Sequence, residues 1–389
     1  MLRDFEQEVK SLERRHLRRQ LRLVDSPADT TITIEGRQLI SMASNNYLGL
    51  ANHPAVKQAA IAAIERWGVG AGAARLISGS MAAHHELEEV LARFKQVETA
   101  LTFGSGYATN LGIIPTLIDR TGLILADRFS HASLIEGCRL PGAKFRVFQH
   151  NNTEHLESLL KMRKSSCATL VVTEGIFSMD GDIAPLLDLI TLCKSYEATL
   201  LVDDAHGTGV MGNNGRGTIE HFGVNPADLI QMGTLSKAIG TSGGFVAGTA
   251  SLKDYLINSS KSFIFTTAPP PAIAAASSAA IQVIQDEPER RQRLWTNRNY
   301  LLAELKGLGF QLTDTQSPIL PIILKAPETA LKMSQALFEA GIFVPAIRPP
   351  TVRKDSSRLR LTVSSEHSKE DLQTVIEAIR HSGKHFIRG

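Results

Sequence analysis

Apolar residues in this chain come as short unbroken runs, separated by longer stretches in which they recur every three to four positions. The runs Ala100–Phe103, Gly122–Ala126, Lys144–Phe148, Thr169–Thr173, Thr199–Val202, Leu229–Met232 and Gly244–Ala247 predict strands. Pro54–Trp67, His84–Phe94 and Ile183–Tyr196 carry helical spacing. Strands that are apolar on both faces and alternate with helices predict a mostly parallel sheet covered on both sides. Ahead of it, Phe5, Val9, Leu12, Leu17 and Leu21 lie about a turn apart, as in an amphipathic arm over residues 1–24. Thr31–Ile34 and Gln38–Met42 read as a hairpin around Gly36. The pattern then changes: helix Glu287–Leu308, strands Phe310–Thr313 and Leu320–Leu324, helix Thr329–Ala340, strands Phe343–Ile347 and Arg358–Val363, and helix Lys369–His381. The expected division is therefore an arm and hairpin (1–44), a large α/β domain (45–285) and a smaller C-terminal α+β domain (286–389).

Composition narrows this picture without changing it. With 389 residues, 43% hydrophobic and 21% charged, the chain is an ordinary globular protein of two to three domains, which excludes disorder and fibrous architectures. A net charge of +3 with one local excess, at Arg14, Arg15, Arg18, Arg19 and Arg22, indicates no nucleic acid; that cluster is either a solvated helix face or an anion contact. Cys138, Cys167 and Cys193 are widely spaced without a CxxC pair, as in a reducing compartment. The uncharged stretch Ser262–Gln285 contains three consecutive prolines and many Ser, Thr and Ala. It reads as a loop and a buried small-residue helix, not a membrane span. Charge from residue 3 onward is unlike a signal peptide, so the expected location is cytoplasmic, with no membrane association.

Three motifs tempt and fail. Gly207-Thr-Gly-Val-Met-Gly212 matches a dinucleotide fingerprint, but Asn213-Asn-Gly-Arg-Gly217 follows where a helix should open. Gly240-Thr-Ser-Gly-Gly244 matches GxSxG yet runs into a strand, whereas a nucleophile elbow runs into a helix. His84-His85-Glu86 lacks the i, i+4 histidine pair of a zinc site, and no metal is expected.

Four elements remain, each at or beyond the C-terminal end of a predicted strand, the edge where open α/β sheets bind ligands. Asp203 ends an apolar strand, where a carboxylate either caps a turn or holds a cation. Lys237 sits among glycines and small residues, without another charge for more than eight positions on either side. Desolvation lowers an amine's pKa and suits it to imine formation with an aldehyde. Gly104-Ser-Gly-Tyr-Ala-Thr-Asn110 places glycines before a helix N-terminus, which offers N–H groups to a phosphate. His131 follows another strand; alone it would be a structural histidine. Pyridoxal 5′-phosphate needs all four: an imine, a partner for a protonated ring nitrogen, a phosphate anchor and a stacking ring.

With these residues in place, the chain resembles the α-oxoamine synthases, a branch of the fold-type-I pyridoxal-phosphate enzymes. The likeness is carried by Ser44-Asn-Asn-Tyr-Leu-Gly-Leu, Gly70-Ala-Gly-Ala-Ala-Arg-Leu-Ile-Ser-Gly, Ser130-His-Ala-Ser, Thr173-Glu-Gly-Ile-Phe-Ser-Met-Asp-Gly-Asp and the blocks around Asp203–His206 and Lys237. It implies a homodimer with shared active sites, an interface that also accounts for the small-residue helix after Pro271. Lys237 would carry the cofactor imine, Asp203 would pair with the ring nitrogen, His131 would stack on the ring and His206 would bond its phenolic oxygen. Gly106, Tyr107, Ser178 and Thr234 would hold the cofactor, with Thr267 reaching the phosphate from a second subunit. Tyr107 departs from the phenylalanine frequent at that position. Arg348 would bind an amino-acid carboxylate, and Arg22, Asn45 and Thr351 match substrate-contacting positions. Ala346-Ile-Arg-Pro-Pro-Thr351 is similar to the branch that acylates L-alanine with a pimeloyl thioester, on coenzyme A or a carrier protein, in biotin synthesis. Alternatives are a sister such as glycine C-acetyltransferase, another pyridoxal reaction, or a catalytically silent subunit.

Overall fold

The structure, a computed structural model, describes residues 3–383; the outermost residues of the expected 1–44 and 286–389 spans lie outside it. The described chain forms two compact units, one of Leu50–Ser178 with Ile183–Arg291, the other of residues 3–49, Met179–Asp182 and 292–383.

The first unit is built on a seven-stranded sheet. Across it the strands run Thr99–Phe103, Gly244–Gly248, Ile230–Thr234, Thr199–Asp203, Thr169–Glu174, Leu123–Asp127 and Lys144–Phe148. Gly244–Gly248 is antiparallel to both neighbours, and the other pairings are parallel. Side chains of successive strand residues leave by opposite faces, so an unbroken apolar run feeds two cores at once. Leu123, Leu125, Val171, Leu200 and Val202 pack in one cluster with Leu156, Leu160, Leu186 and Leu189, from helices Thr153–Lys161 and Leu186–Ser195. Their neighbours Ile124, Ala126, Leu170, Val172 and Leu201 join Ile113, Leu134 and Leu256 in another, on helices Gly106–Leu117, Ala132–Arg139 and Ala250–Ser259. Helix Pro271–Asp286 packs on helices Pro54–Trp67 and Ala82–Lys95 of the same chain. Ala272, Ala274, Ala276, Ser277 and Ala280 are buried there, so contacts within the chain already account for its small side chains.

In the second unit the hairpin forms around Gly36, its second strand running Arg37–Ser41, one residue earlier than expected, with Ile34 opposite Arg37. Arg37–Ser41 also pairs in parallel with Ile342–Phe343, which ties the arm-and-hairpin segment and the C-terminal residues into one unit. The expected strand Phe343–Ile347 is divided between sheets: Ile342–Phe343 joins the hairpin, while Ala346–Ile347 pairs with Ser357–Thr362 beside Ile319–Lys325. Phe310–Thr313 makes a single bridge, Leu312 to Ile322, and the Thr313 hydroxyl donates to the Asp180 carbonyl at 2.6 Å. The arm is helical only over Phe5–Arg14, capped by Asp4, and its stripe is not buried: Phe5 is 74% exposed. Leu17, beyond the helix, is the arm residue that enters the core.

Candidate active site

At the C-terminal edge of the parallel strands, or just beyond it, lie Gly106, Tyr107, His131, Asp203, Thr234 and Lys237 of the first unit. Strand Thr99–Phe103 ends in Gly104-Ser105-Gly106, where Ser105 caps helix Gly106–Leu117 by accepting the Ala108 N–H at 3.0 Å. The backbone here is closely packed. A Cβ on Gly106 would meet Met232 and Thr234 at 3.3 Å, and one on Gly244 would reach the Gly106 Cα at 2.7 Å. Thr234 ends its strand and donates to the Gly243 carbonyl at 2.8 Å. Lys237 follows, half-buried, in the loop that closes through Gly240 N–H to its carbonyl at 2.9 Å.

Asp203 and Glu174 end adjacent strands as direct register partners. Asp203 is 6% exposed; its carboxylate accepts the Asn110 amide at 2.9 Å and the Ala205 N–H at 3.0 Å. Its neighbour Asp204 points into a separate buried network with Lys95, Thr208 and Thr218, so one carboxylate serves the site and the next holds the turn. His131 caps helix Ala132–Arg139 by accepting the Ser133 N–H on Nδ1. The Ser133 hydroxyl lies 2.8 Å from the same nitrogen. Burial lowers the His131 pKa, partly opposed by the charge of Asp203. The Tyr107 ring stands edge-on to His131 at 6.3 Å, and its hydroxyl donates to Glu136.

Two residues of this edge carried no role in the sequence reading. Asn110 lies one helical turn after Gly106, inside the glycine turn already singled out; its amide holds Asp203, and its Oδ1 is buried without a partner. Glu174, within the Thr173-Glu-Gly motif, accepts the His131 backbone N–H at 2.6 Å. Burial, then the adjacent charge of Asp203, holds the Glu174 pKa well above the carboxylate range. The signal was a carboxylate ending an apolar strand, the same one that drew attention to Asp203.

His206 is buried three residues beyond Asp203, and Ser178 is half-buried beyond strand Thr169–Glu174. Thr267 is exposed on a backbone bridge to Ala74. In the second unit, Arg348 is 8% exposed and donates to the backbone carbonyls of His16 and, at 3.3 Å, Arg18. The arm residue beside Thr351 is Arg19, whose Nη2 lies 3.4 Å from the hydroxyl. Arg22 lies 4.3 Å over the Phe338 ring and 3.9 Å from Glu35. Asn45 accepts from Arg360 at 3.3 Å and from Tyr47 at 3.4 Å. No metal-binding cluster occurs among the described residues, and none of their helices is long and apolar enough to cross a membrane.

The first-unit edge offers an amine, a buried carboxylate able to hold a ring cation, free N–H groups at a helix N-terminus, and glycines that admit a flat group against the backbone. Among solved structures, serine palmitoyltransferase from S. paucimobilis with a pyridoxal-phosphate–myriocin adduct superposes with TM-score 0.94 at 33% identity, over 99% of each chain. An 8-amino-7-oxononanoate synthase from Francisella tularensis matches with TM-score 0.77 at 30% identity, over 89% of this chain and 98% of that one. The fold is thus that of the fold-type-I pyridoxal-phosphate transferases, and the family model for aminotransferase class I and II matches residues 37–379. The 8-amino-7-oxononanoate synthase of Thermoanaerobacter pseudethanolicus is 44% identical over 98% of this chain and 97% of its own length. 8-Amino-7-oxononanoate synthase 1 of Bacillus subtilis is 41% identical over 99% of both chains. The chain belongs to the 8-amino-7-oxononanoate synthase family.

Proposed function

We propose that this protein binds pyridoxal 5′-phosphate and condenses L-alanine with a pimeloyl thioester, on coenzyme A or a carrier protein. The reaction releases carbon dioxide and the free thiol and forms 8-amino-7-oxononanoate for biotin synthesis. The observation that carries this reading is identity above 40% to synthases of that name along nearly the whole of both chains. The edge holding Lys237 and Asp203 supports it independently.

Bound, the cofactor supplies an aldehyde and an electron-withdrawing ring. Lys237 Nζ is the group that would join the aldehyde, and its free amine would take the proton from the alanine Cα. Asp203 would pair with the protonated ring nitrogen, its carboxylate held in place by the Asn110 amide and the Ala205 N–H. The N-terminus of helix Gly106–Leu117 and the Thr234 hydroxyl hold the phosphate, with Ser178 and Thr267 as further contacts. His131 would stack on the ring and would hydrogen-bond the thioester oxygen as negative charge gathers there. Tyr107 backs that imidazole, and His206 bonds the phenolic oxygen. Arg348 takes the alanine carboxylate, while Asn45, Arg22 and Thr351 contact substrate. The working form is a cytoplasmic homodimer.

Lys237→Ala tests the site: the purified variant should lack the long-wavelength cofactor band that borohydride fixes, and should not turn over. Thiol release tests the substrates, with alanine, glycine and serine each offered acetyl-, succinyl-, pimeloyl- and palmitoyl-coenzyme A. Release confined to alanine with the pimeloyl thioester is expected. The close superposition on serine palmitoyltransferase favours a sister synthase as the second reading, and release with serine and the palmitoyl thioester would establish it.

A further inference from the structure

Glu174 is the buried ionisable group at this edge that the chemistry above leaves without a task. It is 3% exposed and ends the strand lying between Leu123–Asp127 and Thr199–Asp203. One of its oxygens accepts the backbone N–H of His131 at 2.6 Å. His131 is the residue at which the chain, having left strand Leu123–Asp127, enters helix Ala132–Arg139. Its own Nδ1 is engaged by Ser133, so the two ends of the residue are held by different elements, the imidazole by its helix and the backbone by the neighbouring strand.

We propose that Glu174 is a positioning residue for His131, fixing from the adjacent strand the backbone point from which the imidazole is carried over the site. The inference rests on the proposed role of His131. The carboxyl need not be charged to do this, since accepting an N–H takes one oxygen. The charged and titratable groups facing it are Asp203, Asp127, Lys237 and His131. A second carboxylate charge beside Asp203 would compete for the same ring cation, and burial with the charge of Asp203 holds Glu174 toward its neutral form. Glutamine, uncharged and of the same length, should therefore stand in for it.

The test compares Glu174→Gln, Glu174→Ala and Glu174→Asp in the cofactor-loaded, full-length protein, reading the imidazole titration of His131 by NMR together with kcat and KM. Alanine removes the acceptor, and aspartate, one methylene shorter, draws it out of reach. Both should move the His131 titration and lower kcat by about tenfold to a hundredfold, the cost of a misplaced group, with a smaller change in the KM for alanine. Glutamine should restore the titration and keep kcat within about threefold of native, under 1 kcal/mol. In a His131→Ala background, Glu174→Ala should add little further loss. Glutamine behaving like alanine, an unmoved His131 titration in Glu174→Ala, or a full additional loss without His131 would each overturn the proposal. If the alanine variant does not fold, the glutamine–aspartate pair decides: aspartate native-like and glutamine impaired would mean that charge, not reach, matters. A native protein lacking the cofactor band would instead refute the functional reading.

Discussion

Burial holds His84 and His367 toward the neutral form, against the pull of their backbone hydrogen bonds. His367 accepts the Ser364 N–H on Nδ1 at 2.9 Å and meets the Ser41 carbonyl through Nε2 at 3.2 Å. His84 accepts from Met81 and meets Pro269 in the same way. Burial is the largest cause lowering the pKa of both, as of His131. For His367, Asp371 and Asp29 pull the other way. A lowered folded-state pKa means that the unfolded chain binds more protons below the ordinary value of 6.5. The stability from these groups is therefore complete above that pH and is lost as pH falls through their folded values. Urea unfolding should show His367→Ala destabilised by about 2–4 kcal/mol at pH 8, since two buried backbone groups lose a partner, with a narrower gap at pH 5. In the site, Asp203→Asn should retain some cofactor, read from the absorption band, yet lose at least about a hundredfold in kcat, the scale of one lost electrostatic contact in a dry site. Asp203 and Lys237 were legible because a charge ending an apolar run or isolated among glycines is conspicuous. Asn110 was not, since a polar residue early in a helix reads as solvated until the helix is laid against the sheet.

Strand ends and helix starts at the cofactor edge meet without spare volume, and this sets which substitutions they tolerate. Gly104 and Gly106 stand two residues apart in one turn, but a Cβ on Gly104 meets nothing within 4 Å. On Gly244 it would strike the Gly106 backbone and the Thr109 hydroxyl. Gly244→Ala should therefore cost about 1–3 kcal/mol of stability by overpacking and weaken cofactor affinity in an absorbance titration, while Gly104→Ala leaves both near native. Most strands and helices were readable from periodicity, because a run buried on both faces cannot alternate. Phe310–Thr313 was misread because apolar content alone does not supply a ladder partner. The arm's helix is shorter than the expected span: Phe5, Val9 and Leu12 lie on it as their spacing predicts, and it ends before Leu17 and Leu21.

The two units are assembled from separated pieces of chain, and no local window could have shown it. The parallel pairing of Ile342 with Ile40 and of Phe343 with Ser41 has no signature in either segment alone. It predicts an asymmetry between truncations. Removing residues 1–15 takes away a helix with no buried residue and should leave the melting temperature nearly unchanged. Removing 1–44 strips Ile342–Phe343 of its partner and buried Ile34, Leu39 and Met42 from the core, and should abolish cooperative unfolding of that unit in calorimetry. The order of strands in the large sheet bears on how the molecule is made. Among the described residues, Thr99–Phe103 pairs only with Gly244–Gly248, so on a translating ribosome it waits for a partner encoded far downstream. Until that segment clears the exit tunnel, an apolar edge stands open to nascent-chain chaperones, and the glycine turn that opens helix Gly106–Leu117 has no floor.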